Sequence, residues 1–152
     1  MTTFVFTELV QSPHADVVSA ALGASTSTPL TENDVGKLVK MSTASNYVLC
    51  ATTDEIEGVL ESVEPYTVNS GFGFGSVRKN GRITAVVGAN QSGTLIAGEY
   101  CTADTQAAVG TAGPPKVLQL ADPAGAVVIW KCIRVLSGTG EAGDSVLIER
   151  VS

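Results

Sequence analysis

Phe74-Gly75-Ser76-Val77-Arg78-Lys79-Asn80-Gly81-Arg82-Ile83-Thr84-Ala85-Val86-Val87 places Asn80-Gly81 between two runs in which apolar and polar residues alternate. Alternation with a period of two turns one face of each run toward a core. An Asn-Gly pair accepts the positive φ angles of a two-residue type I′ turn, so the stretch is expected to form a β-hairpin. The composition extends this expectation to the rest of the chain. It holds 20 Val and 16 Thr, both stiff at χ1 and suited to pleated strands, with 16 Gly to supply turns. Strands are predicted at residues 36–41, 47–51, 57–63, 74–79, 82–87, 94–103, 116–120, 127–136 and 145–151. Short strands broken this often point to a barrel or a sandwich. No internal repeat is visible in the sequence.

The chain has 152 residues, 44% of them apolar and 16% charged, enough for one hydrophobic core and unlike a disordered chain. Nine Lys+Arg against 15 Asp+Glu give a net charge of −6. Without a basic block, neither nucleic acid nor an anionic membrane surface is an expected partner. The most apolar stretch, 124–136, is interrupted by Gly125, Lys131 and Arg134 and is too short to cross a bilayer. The first residues lack the basic and long apolar regions of a secretory signal, so export by that route is not expected. Cys50, Cys101 and Cys132 are odd in number and widely spaced, which leaves at least one free thiol and fits a reducing compartment.

Residues 1–29 differ from the rest and are assigned to an N-terminal arm, with a β domain over 30–152. Two forms of the arm fit. Ser12 and Pro13 could open a short helix with Val17, Val18 and Leu22 on one face. Alternatively the polar run 24–29 marks an extended segment that orders against a partner. In that form Phe4, Val5, Phe6, Leu9 and Val10 are the candidate anchoring residues. Gly71-Phe72-Gly73-Phe74-Gly75 reads as a wide loop whose Phe72 and Phe74 cover a barrel end or meet a neighbouring chain; it lacks the lysine and helix of a phosphate-binding loop. Residues 107–115, with two glycines and a Pro-Pro pair, read as an exposed loop.

The residues offer little chemistry. His14 is the one histidine and lies in the arm, so no base is held rigidly for a nucleophilic serine or cysteine. The cysteine spacing contains no zinc pattern, and Cys132 beside Trp130 reads as a small buried hydrophobe. Glu57 and Glu61 form the one conceivable acid pair, though a solvated strand face that needs no chemistry is the preferred explanation. No cofactor or metal is expected, and the protein is not expected to be an enzyme.

Three segments in a fixed order resemble the head decoration, or capsid cement, proteins of tailed bacteriophages. Residues 30–41, LTENDVGKLVKM, are similar to that family's turn into a strand, D-[IV]-G-K-x-V-K. Residues 55–60, EIEGVL, resemble its acidic residue followed by G-V-L. Residues 135–151 resemble its closing Gly-rich turn and last strand, and Gly98-Glu99-Tyr100 adds a shorter piece. The resemblance covers about residues 30–152 and implies a compact, β-barrel-like single domain of the β-tulip kind. It implies no catalysis. Its expected partners are the major capsid protein and two further copies of the chain in a homotrimer. The expected location is the virion, on the outer surface of the capsid, after synthesis in the host cytoplasm. Another β-rich virion part, such as a tail, baseplate or head-fibre module, is the alternative, with a small β-barrel enzyme or ligand-binding protein behind it.

Overall fold

Strands form where β-branched and apolar residues alternate, and glycines with positive φ turn the chain between them. The structure, a computed structural model, describes residues 17–22, 29–43, 46–64 and 73–152. Within them lie β1 (Val17–Leu22), β2 (Leu38–Met41), β3 (Tyr47–Leu49), β4 (Gly58–Val63), β5 (Gly73–Arg78), β6 (Arg82–Val87), β7 (Tyr100–Ala103), β8 (Lys116–Leu120), β9 (Trp130–Val135) and β10 (Ser145–Arg150). They close into two five-stranded barrels, β1-β3-β2-β4-β5 and β10-β6-β8-β7-β9. The mainly β, barrel-type fold is as expected.

The hairpin is not. Both runs around Asn80-Gly81 are strands, but β5 pairs with β1 and β4 whereas β6 pairs with β8 and β10. Gly81 has a φ of 98° while Asn80 has no positive φ, so the pair of positive angles that defines a type I′ turn is absent. The turn is the junction between the barrels.

Each barrel repeats the other strand for strand. Among the described residues every ladder is antiparallel except one in each barrel, β1 against β3 at Leu22↔Tyr47 and β6 against β8 at Val87↔Val117. Val18↔Val77 in the first barrel corresponds to Ile83↔Ile148 in the second, Met41↔Tyr47 to Ala103↔Val117, and Leu38↔Val59 to Tyr100↔Lys131. A β-bulge leaves Glu61 unpaired in β4 and Ile133 unpaired in β9, the same position of each strand. The turn into the second strand also recurs. Gly36 (φ 92°) donates its N–H to Leu60 O at 2.7 Å, and Gly98 (φ 95°) donates to Cys132 O at 2.8 Å.

The inward residues follow the same scheme. Leu22, Val39, Tyr47, Leu60 and Val77 fill the first barrel, and the matching Val87, Cys101, Val117, Cys132 and Ile148 fill the second. The second cluster continues through Leu38, Cys50, Ile56 and Val59 on the outside of the first barrel, which makes the whole one packing unit.

Other expectations need correction. Residues 17–22 are a barrel strand and not a helix, so the segment 1–29 contains part of the β domain; alternation at Val18 and Leu22 serves a strand as well as a helix face. Gly73, Phe74 and Gly75 lie in β5, not in a loop. A Cβ on Gly75 would collide with Ser62 O, which accounts for the glycine. The strand expected over 94–103 shrinks to β7, because Gly98 turns the chain. That over 127–136 shrinks to β9.

Candidate functional site

The seam between the barrels concentrates the buried polar side chains. Glu32–Asp34 form a turn of 3-10 helix, in which Asp34 Oδ2 accepts from Thr31 N–H at 2.8 Å. Three residues on, the Lys37 ammonium meets Asp34 Oδ1 at 2.6 Å, and both side chains are 0% exposed. Its other two bonds go to Ala107 O and Ala108 O, each at 3.1 Å, and Gly110 N–H donates back to Asp34 at 3.0 Å. One ion pair of the first barrel thus fastens the 107–110 loop of the second. Residues 107–115 are an exposed loop as expected, none of them buried, and these bonds tie its first half down.

Asp104 forms a second fastening. It is buried and accepts from Asn90 Nδ2 at 2.8 Å, Thr105 N–H at 2.7 Å and the Thr52 hydroxyl at 3.0 Å, the last from the first barrel. Gly88 has no side chain because a Cβ there would strike this carboxylate. Gln106, also buried, accepts at Oε1 from Leu38 N–H and donates from Nε2 to Asp104 O and Lys116 O. Trp130, fully buried, donates Nε1–H to Ile56 O at 2.9 Å across the same seam.

Burial pushes the carboxyls of Asp34 and Asp104 upward. The bonds to the ionised form outweigh it: Lys37, Thr31 and Gly110 for Asp34, and Asn90, Thr105 and Thr52 for Asp104. Both therefore lie below the ordinary 3.8. A carboxyl held lower in the folded than in the unfolded chain stabilises the fold above its unfolded value, and that stabilisation is lost as pH falls through the folded value. Thermal midpoints are expected to hold at neutral pH and to drop steeply below about pH 4. Asp104→Asn should melt lower than the parent at pH 7 and show a shallower acid decline, as followed by circular dichroism.

Of the residues singled out in the sequence, Phe74 is described and is 44% exposed on β5. Phe4, Val5, Phe6, Leu9, Val10, Phe72 and His14 lie outside the described residues. Glu57 accepts from Met41 N–H at 2.9 Å, and Glu61 is exposed at the bulge, so the two do not share a regular strand face. Cys50, Cys101 and Cys132 are free thiols buried in the core, and burial pushes each of them upward, away from thiolate reactivity. Among the described residues no cluster of His, Cys, Asp and Glu is placed to hold a metal, and no helix is long and apolar enough to cross a membrane.

Sequence reasoning missed Asp34, Lys37, Asp104 and Gln106 as fastening residues. The spacing of Asp34 and Lys37 was visible, but charged residues are so rarely buried that nothing marked this pair as interior. The seam's carboxylates, ammonium and amide are engaged with one another and with backbone, an arrangement that holds two barrels at a fixed geometry. No protein-family model, no curated protein and no solved structure matches the chain.

Proposed function

We propose that the protein is a structural virion component that binds the outer surface of an expanded icosahedral phage capsid, as trimers, and cements adjacent copies of the major capsid protein against internal DNA pressure. The observation that carries this reading is the ordered resemblance of residues 30–41, 55–60 and 135–151 to capsid cement proteins. The fold is compatible with it: Gly36-Lys37-Leu38 and Gly98-Glu99-Tyr100, both part of that resemblance, are the same turn in the two barrels. A rigid, charge-poor body suits a surface shared with neighbours. A protein that binds the assembled shell and not its separated parts stabilises the shell by mass action, and many bridging copies multiply a modest energy per contact.

The test is co-sedimentation of the purified chain with expanded shells that lack it. Saturable binding at a multiple of the icosahedral site number, with a raised shell melting temperature, is the expected result. Binding to tails and not to heads, or no binding to matched shells, overturns it. Removing residues 2–12, with Phe4, Val5, Phe6, Leu9 and Val10, is expected to weaken shell binding by about tenfold or more, equivalent to ~1.4 kcal/mol. Unchanged affinity would exclude them as an anchor.

A further inference from the structure

The matched registers show which side of a barrel receives another barrel. In the first barrel, segments 33–38 and 50–54 lie on one face, because both meet segment 102–110 of the second. Lys37 holds Ala107 and Ala108, Leu38 N–H donates to Gln106, Thr53 N–H donates to Ala103 O, and Asp54 O accepts from Ala103 N–H. Carrying this face into the second barrel by register puts Ile96 at the place of Asp34, Tyr100 at that of Leu38, Leu120 at that of Cys50 and Lys131 at that of Val59. The four first-barrel residues are buried. Their counterparts are not. Ile96 is 48% exposed, and Tyr100, Leu120 and Lys131 are each partly exposed.

We infer that this face of the second barrel is covered by a second copy of the chain. The surface that covers it has a counterpart too. Ala103, whose backbone bonds Thr53 and Asp54 inside the chain, corresponds to Met41 at the end of β2, and Met41 is 41% exposed. One copy's Met41 end therefore meets the next copy's Ile96 face. The two surfaces differ, so the contact is head-to-tail, and such contacts close into a ring when their rotation closes and run on as a filament when it does not. A closed ring is the form of self-contact that the cement reading calls for, yet it is measured without any shell.

The experiment is sedimentation velocity of the full chain, up to hundreds of micromolar, for the parent and for Ile96→Arg and Lys131→Glu. Both variants change solvent-accessible positions named above on the proposed face, and fluorescence of the buried Trp130 reports whether the fold is kept. The expected result is a discrete oligomer in the parent and, in each variant, association weakened so that about tenfold or more protein is needed to form it, with Trp130 emission unchanged. A parent that stays monomeric, or an oligomer that survives both substitutions, overturns the inference. Failure of shell binding with the oligomer intact would remove the proposed function and leave this contact standing.

Discussion

Asp34→Ala is expected to cost about 3–5 kcal/mol of folding stability, because it leaves the Lys37 ammonium buried without its counter-charge. In a chain of this size that corresponds to a fall in thermal midpoint of roughly 6–20 °C. The backbone partners make the effect larger than loss of one ion pair. Gly110 and Thr31 lose their acceptor as well, and the ammonium is held only by the carbonyls of Ala107 and Ala108. Replacing both partners gives the contrast. Asp34→Leu combined with Lys37→Met removes the desolvation penalty of two charges along with their attraction, so its midpoint should lie well above that of Asp34→Ala. Hydrogen exchange should then rise at 107–110 in both variants, since each releases the loop. A midpoint for Asp34→Ala within a degree or two of the parent would show that the pair does not hold the seam.

Trp130→Ala is expected to be of similar size, about 3–5 kcal/mol, read as a lowered urea midpoint. Trp130 starts β9 and is one of the largest fully buried side chains, with barrel residues on one side and Ile56 of the opposite barrel on the other. Truncation opens a cavity where the two cores join. Trp130→Phe separates the contributions, since it keeps an aromatic ring but removes the Nε1–H donated to Ile56 O; leaving that carbonyl unsatisfied costs about 1–3 kcal/mol. If the two variants were equally unstable, the hydrogen bond and not the packing would dominate the seam.

Much of the fold was legible because alternation is a local signal. β6 and β8 fall on the predicted residues, and β4, β5 and β10 within one or two positions. The partners of the strands were not legible, because Asn80-Gly81 between two alternating runs has the same pattern whether the runs pair or part. The repeat of the barrels was hidden for a related reason. Leu22 and Val87, Val39 and Cys101, or Leu60 and Cys132 occupy matching places but share burial and not identity. A closed barrel asks each inward position for an apolar side chain of fitting volume, and several residues meet that demand. The seam was the least legible part. Across the seam its ionised and amide groups find partners 52 to 76 residues away in the chain, a separation that no local pattern reports.

Because among the described residues no ladder spans Asn80-Gly81, the order of synthesis becomes part of the folding problem. A chain emerging from the ribosome N-terminus first presents β1 to β5 before any of β6 to β10 exists, so the first barrel has every strand it needs to close early. Leu38, Ile56 and Val59 would then face solvent until translation delivers Trp130 and its neighbours. During that interval the nascent chain carries a sticky apolar side, and the pace of elongation through the second half sets how long it stays open to wrong partners.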